Sequence, residues 1–258
     1  MIKGRDIIIV GQQPWDVEIG SNCKNIALEF SKHNRVLYVN SALDRVSLLK
    51  GSADPKILKR INVIKHKEKG LIQINPNMWN LFPDTLVESI NWIKFHSFFK
   101  FLNRINNQRF ADSILKATNE LGFKDFILFN DNDMFRSFHL KEMLSPQLTI
   151  YYSRDYMLAV DYWKRHGEKL EPQLIANADI CLANSTYLAD YCKKYNPYSY
   201  YVGQGCELDL FIEFNSAEQP KDIQPIPGIK IGYVGALIGL RLNISLLVEI
   251  AKSKPEWS

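Results

Sequence analysis

The chain has 258 residues, with 32 Lys and Arg against 28 Asp and Glu, a formal charge of +4. Hydrophobic residues make up 46% and charged residues 23%, which excludes a disordered, collagen-like or charged-tail protein. The length suffices for one large core or two modest ones, and a charge this mild does not by itself argue for nucleic acid.

Ile7 to Val10 is a continuous β-branched run and predicts a strand buried on both faces. Ser21 and Asn22 can cap the helix that follows, which carries Ile26, Ala27 and Phe30 and ends near His33. Val36 to Val39 is the next strand, and Asn40 to Lys69 shows little period. Leu71 to Ile74 predicts a strand, and two helices are expected between Asp84 and Gly122. Phe126 to Phe129 and Thr149 to Tyr152 predict strands, followed by the polar stretches Asn130 to Asp133 and Ser153 to Asp155. A helical region is expected over Tyr156 to Ala178. Ile180 to Ala183 predicts a strand, Ser185 caps a helix to about Tyr195, and Tyr198 to Val202 is a further strand. Strands alternating with helix-length segments imply βαβ units: an α/β, Rossmann-like doubly wound fold with a mainly parallel sheet.

Residues 213–228 carry Pro220, Pro225 and Pro227 and no apolar period, so they read as a linker after a domain spanning 1–212. Ile229 to Val234 then restarts the strand pattern, and a helix is expected from about Leu242 to Ala251. One βα unit cannot make a domain, so 229–258 reads as the first unit of an incomplete second Rossmann-like domain.

The four cysteines, Cys23, Cys181, Cys192 and Cys206, form no CxxC pair and no cluster with histidine at metal spacing. Zinc and redox motifs are therefore unsupported, and buried or free thiols in a reducing cytoplasm are expected. No signal-peptide core and no uncharged apolar run of spanning length is seen, so the chain is expected to be soluble or to lie on a membrane.

In parallel α/β sheets a ligand binds at the carboxyl ends of the strands, so the residues after each strand are the candidates. After the first strand, Gly20 stands at the start of a helix whose free N–H groups suit a phosphate, and Ser21 caps that helix. Trp15 in the same loop can stack on a sugar or base, or simply pack the loop. After Thr149 to Tyr152, Asp155 can act as a base or hold a sugar hydroxyl, or cap the next helix, and Arg154 can pair with phosphate. His166, alone in a helical stretch, reads as a surface histidine. No dinucleotide fingerprint, P-loop, HExxH or EF-hand occurs.

Between Lys50 and Lys69 there are seven Lys or Arg against two acids. Lys94, Lys100, Arg104 and Arg109 lie among Trp92, Phe95, Phe98, Phe99 and Phe101, a mixture that suits a membrane interface. Apolar residues cover more than half of the helical wheel there, however, which favours a helix packed into the domain with a few solvated cations.

The segment Gly203-Gln204-Gly205-Cys206-Glu207-Leu208-Asp209-Leu210-Phe211 resembles the P-N-G-V-D-x-x-x-F signature of GT-B fold glycosyltransferases of the retaining "group 1" class. Glu171, Ala178-Asp179-Ile180 and Ala183-Asn184-Ser185 are similar to that family's pattern before the signature. Ile231 to Leu237, followed by Arg241, is similar to the opening of its second domain. The resemblance implies two Rossmann-like domains, the first binding the acceptor and the second most of a nucleotide-diphosphate sugar donor. It places Gly20 near the donor phosphates, Asp155 where a catalytic His or Asp often sits, Arg241 at a phosphate-binding position, and Glu207 in the hinge close to the donor. Gln204 and Cys206-Glu207 depart from the family's Asn and Val-Asp.

The function so implied is transfer of a sugar to a glycan or lipid-linked acceptor, in the cytoplasm or at the inner membrane face, with no metal or separate cofactor. The family's donor-binding glutamate pair would fall after Ser258, so this chain alone is expected to be inactive. The alternative is a non-catalytic Rossmann-like module that binds a glycan or a protein partner.

Overall fold

The computed structural model describes residues 2–50, 54–205, 220–235, 237–239 and 242–258. The chain divides into two compact units, Met1–Cys206 and Glu207–Ser258. The first runs β1 (Asp6–Gly11), α1 (Asn22–Ser31), β2 (Arg35–Val39), β3 (Leu43–Asp44), α2 (Arg45–Lys50), α3 (Pro55–Ile64), β4 (Leu71–Asn75), β5 (Met78–Leu81) and β6 (Leu86–Val87). It continues with α4 (His96–Leu121), β7 (Ile127–Asp131), α5 (Leu140–Leu144), β8 (Leu148–Ser153), a 3-10 turn at Met157–Ala159, α6 (Asp161–Asn177), β9 (Ile180–Ala183), α7 (Thr186–Lys193) and β10 (Ser199–Tyr201).

Eight strands form one sheet in the order β10-β9-β8-β7-β1-β2-β5-β4. All neighbours are parallel except the β4–β5 hairpin. This is the α/β, mainly parallel architecture expected from the alternation of strands and helices. Ile7, Ile8, Ile9 and Val10 are completely buried because both faces of β1 are covered. Ile7 and Ile9 pack with Cys23 and Ala27 of α1, whereas Ile8 and Val10 pack with Phe110, Ala111 and Ile114 of α4. Each such fully buried aliphatic side chain contributes about 1.5–3 kcal/mol.

The strand order reverses beside β1. The chain leaves β1 towards β2 on one side and returns to β7 on the other. Such a switch point opens a crevice at the carboxyl ends of the two strands, because their outgoing loops part to opposite faces.

Two expectations for the middle of the chain need correction. Residues 84–122 hold one 26-residue helix, α4, and not two. Upstream of it, β6 pairs with β3, and the backbone is tied down by α4 side chains: Glu88 N–H donates to Asn106 Oδ1 at 2.8 Å, and Asp84 N–H donates to Ser113 Oγ at 3.1 Å. Strand β5 was also not expected. It is a central strand, and its buried Asn80, which accepts from Asn40 Nδ2 at 2.7 Å, interrupts the apolar run that would have marked it.

The second unit carries α8 (Ile244–Ser253), capped by Asn243, whose Oδ1 accepts from Leu246 N–H at 3.1 Å. Ile229 to Val234 does not form the expected strand. It makes one isolated parallel bridge, Ile229 with Trp257. A strand needs a neighbour along its length, and the described residues of this unit offer only the backbone around Trp257. None of α8's residues is buried.

Candidate functional site

The loop after β1 is held from several directions. Tyr38 Oη donates to Gln13 O at 2.6 Å, and Trp15 N–H donates to Asn40 Oδ1 at 2.7 Å. Arg60 makes a two-pronged pair with Asp16 at 2.7 and 2.8 Å, and Lys24 Nζ donates to Val17 O. Burial alone would raise the Asp16 carboxyl, but the hydrogen bonds and charge of Arg60 outweigh it and hold it below its ordinary value. The Trp15 ring packs edge-on against Tyr38, with centroids 5.3 Å apart. Gly20 is exposed with open space around it, and Ser21 caps α1 by accepting from Lys24 N–H at 3.3 Å. Asn22 Nδ2 donates to Tyr152 Oη at 2.8 Å, which fixes the start of α1 against the end of β8.

After β7 the run Asn130 to Asp133 folds on itself. Asp133 N–H donates to Asn130 Oδ1 at 2.9 Å, and Asn130 Nδ2 donates to Asp133 O at 3.1 Å. Asp133 Oδ1 also accepts from the backbone N–H groups of Phe135 and Arg136. Arg136 Nη2 donates to Gln12 Oε1 at 2.6 Å, so the loops after β1 and β7 are joined. Asn132 has φ +58°, a left-handed backbone that asparagine tolerates. Its Oδ1 accepts from Arg154 N–H at 2.8 Å and Asp155 N–H at 3.3 Å, so it sets the backbone that carries both residues.

Asp131 is the unusual member. It is fully buried, and neither carboxylate oxygen has an aligned hydrogen-bond donor. Arg154 Nε lies 3.3 Å from Oδ1, an ion contact without hydrogen-bond alignment. Desolvation pushes the Asp131 carboxyl up to about 6; the Arg154 charge and the nearby Cys23 thiol oppose the rise, and Asp155 and Asp133 add to it. In the β1–β7 register Gly11 stands opposite Asp131, and a Cβ on Gly11 would come within 2.9 Å of the Asp131 Cβ. Burial, together with the nearby Asp131 charge, also raises the Cys23 thiol in α1.

Arg154, Asp155 and the start of α1 are thus brought to one edge of the sheet. The Asp155 side chain is 61% exposed, whereas that of Arg154 is 17% exposed. Asp155 does not cap a long helix; its carbonyl accepts from Met157 N–H at the start of the 3-10 turn. Trp15 lies on the same edge, with its ring in the packing against Tyr38. Glu207, Arg241 and Cys206 lie outside the described residues. His166 is buried, contrary to the surface position expected: its ring stacks on Phe99 at 3.7 Å, and Nε2 contacts Ile93 O at 2.8 Å. Glu171 is buried too, accepting from Tyr151 Oη at 2.8 Å and Tyr191 Oη at 3.2 Å, and burial raises its carboxyl.

A cleft of about 740 Å³ opens at the carboxyl edge of the sheet. Gln12 and Arg136 form one wall, and Trp92, Phe135, Tyr162 and Trp163 supply aromatic surface. Its polar and aromatic lining suits a ligand with hydroxyls and flat apolar faces, such as a sugar. Among the described residues no group of acids, histidines and cysteines could hold a metal ion.

Sequence reasoning passed over Gln12, Asp131, Asn132 and Arg136. The signal for the run Asn130 to Asp133 was present, since it directly follows a strand. Its link to Gly11 and Gln12 depends on strand order, which one sequence does not display.

No protein-family model matches the chain, and no curated protein matches it. Among solved structures it is similar to Arabidopsis thaliana UGT89C1 complexed with UDP-L-rhamnose, at 12% identity and a TM-score of 0.47. That likeness covers 100% of this chain and 66% of the other, so the chain spans just under two thirds of that protein's length. The fold assignment stands on the strand order and register of this chain itself.

Proposed function

We propose that the chain forms the acceptor side of a glycosyltransferase that moves a sugar from a nucleotide diphosphate to a glycan or lipid-linked acceptor. The observation that carries this reading is the exposed Asp155 carboxylate at the carboxyl edge of the sheet, its backbone fixed by Asn132, on the same edge as the aromatic-lined cleft of about 740 Å³. In the reaction the bond between the sugar's anomeric carbon and the diphosphate breaks, and a bond from that carbon to the acceptor oxygen forms. The acceptor proton passes to Asp155. The departing diphosphate gains negative charge, which on this reading the N-terminus of α1 beside Gly20 and Ser21, and the Arg154 cation, would stabilise. Glu207 and Arg241 enter only through the family resemblance, as donor-side residues, and retention of the anomeric configuration rests on the same resemblance.

No helix among the described residues is long and apolar enough to cross a membrane. Cys23, Cys181 and Cys192 are free and buried, which fits the proposed cytoplasmic setting.

The test is transfer by the full-length protein carrying Asp155→Asn. General-base catalysis is worth about 10²–10⁴-fold, so turnover should fall by that amount. The melting temperature should not move, because the Asp155 side chain is exposed and its nearest charged partner, Arg154, is 3.7 Å away. Turnover at the wild-type level would remove Asp155 from the mechanism. Saturable saccharide binding with no transfer from any nucleotide sugar would replace the enzyme by a glycan-binding module.

A further inference from the structure

Residues 89–111 contain no Asp or Glu and four Lys or Arg. This segment turns its polarity inside out. Asn103, Asn106 and Asn107 of α4 are buried, where Asn103 and Asn107 both donate to Phe135 O. Four aromatic residues face solvent, while Phe99 and Phe110 are buried: Trp92 is 71% exposed, Phe95 80%, Phe98 52% and Phe101 61%. Three-residue spacing puts Phe98 and Phe101 on one side of α4. Tyr162, at the start of α6, joins them through Asn91, whose Nδ2 donates to Tyr162 O at 2.7 Å. The stripe is anchored from beneath, because His166 stacks on Phe99 and contacts Ile93 O.

Lys94, Lys100 and Lys169 are exposed around the stripe, and none has an ion pair among the described residues; Lys100 and Lys169 both act on His96. The neighbouring acids are largely neutralised, Glu142 by Arg104 at 2.6 Å and Glu168 by Lys164 at 3.7 Å, which leaves Asp161. An exposed aromatic patch ringed by free cations is an expensive surface in water.

We propose that this face docks on an anionic lipid bilayer, with the aromatic rings entering the interface and the lysines meeting headgroup phosphates. The charge pattern selects this occupant over a second copy of the chain. A symmetric dimer through this patch would press two copies of the same net-positive surface together, whereas an anionic surface complements Lys94, Lys100 and Lys169 at once. Trp92, Tyr162 and Arg165 also line the 740 Å³ cleft, so docking would bring its mouth to the headgroup level, where a lipid-linked acceptor lies. That consequence rests on the transferase reading, whereas docking itself does not.

The experiment is co-sedimentation of the chain with vesicles of phosphatidylglycerol and phosphatidylcholine, against phosphatidylcholine alone, at low and high salt. Binding to the anionic vesicles that weakens with salt is expected, with a contribution of about fivefold in partitioning per cation. The triple variant Phe95→Ser, Phe98→Ser, Phe101→Ser should bind at least about tenfold more weakly, as should the double variant Lys94→Glu, Lys100→Glu. The charge variant keeps the test sound should the triple variant fold poorly. Absence of binding to anionic vesicles at low salt would overturn the proposal, as would binding that neither variant weakens. A dimer in sedimentation velocity that the triple variant abolishes, without vesicle binding, would assign the face to a second copy. The readout needs no donor and no acceptor, so it fails independently of the transferase reading.

Discussion

Replacing Asp131 by asparagine should make the protein more stable above pH 6 and leave it unchanged near pH 4. Asparagine keeps the shape of the side chain and removes the charge, and no aligned hydrogen bond to the carboxylate is lost. The native carboxyl titrates at about 6, against an ordinary value of 3.8, chiefly because it is desolvated. Its native pKa is raised, so below the unfolded value both states are protonated and the carboxyl carries no penalty. As the pH rises through the window from 3.8 to about 6 the unfolded chain sheds its proton first, and stability falls. The displacement of roughly two units, at about 1.4 kcal/mol each, corresponds to about 3 kcal/mol once the pH exceeds 7. The Arg154 attraction is already contained in the native value of about 6, so its loss subtracts nothing further. The variant should therefore gain about 2–3 kcal/mol over the wild type between pH 4 and pH 8, most of it before pH 6. Urea denaturation at several pH values, followed by tryptophan fluorescence, measures this. Four of the five tryptophans, Trp15, Trp79, Trp92 and Trp163, lie in the first unit. A constant offset at all pH values, or a variant less stable at pH 8, would refute the account of Asp131 as a buried carboxylate that Arg154 only partly offsets.

Other perturbations probe the scaffold around the site. Asn107→Leu should cost about 1–3 kcal/mol in urea denaturation, because His139 N–H loses its partner while Phe135 O keeps its bond from Asn103. Gly11→Ala should cost about 1–3 kcal/mol, since its Cβ would meet that of Asp131 at 2.9 Å; an unchanged denaturation midpoint would show that β1 and β7 can part there. Arg60→Ala frees the carboxylate that pins the β1–α1 loop, so hydrogen exchange should quicken over residues 12–20 while global stability changes by about 1 kcal/mol or less. The same change should remove the stability that the wild type loses as Asp16 is protonated on acidification, because its native carboxyl lies below its ordinary value.

The strands β1, β2, β7 and β8 were legible because their apolar runs are unbroken and both faces are covered. The less buried β9 and the edge strands β4 and β10 were legible too, as short apolar runs between helices or turn residues. Strand β5 escaped because Asn80 sits in the middle of a four-residue strand and hydrogen-bonds to another buried asparagine, and no single-chain pattern displays that pairing. Helix α4 misled in a more instructive way. Its wheel shows a broad apolar face, but the core takes Asn103, Asn106, Asn107 and Ser113 and leaves Phe98 and Phe101 outside. The asparagines are needed because irregular backbone at Asp84 to Glu88 and at Phe135 to His139 packs there and has unpaired groups to satisfy. The helical wheel counts hydrophobic residues and cannot anticipate which neighbour brings bare backbone.

The same reasoning bears on whether the carboxyl edge is a functional site at all. Asn130 and Asp131 end β7, and Asn132 and Asp133, in the loop after it, stay buried where a loop would ordinarily be solvated. Asn132 adopts a left-handed backbone, and its buried Nδ2 has no hydrogen-bond partner. Asp131 holds a carboxylate at an energetic loss, and Gly11 gives up a side chain to make room for it. A fold selected only for stability would fill this place with an aliphatic pair and a short polar turn. What the costly arrangement does accomplish is specific: Asn132 fixes the backbone of Arg154 and Asp155, and Asp131 draws the Arg154 guanidinium down onto the sheet. Asp155 is thereby left as the exposed acid after β8, on the carboxyl edge of the sheet. A buried carboxylate with one misaligned cation partner, set beside a topological switch point, is easier to explain by selection for binding than by selection for stability, which is the ground for proposing a site here.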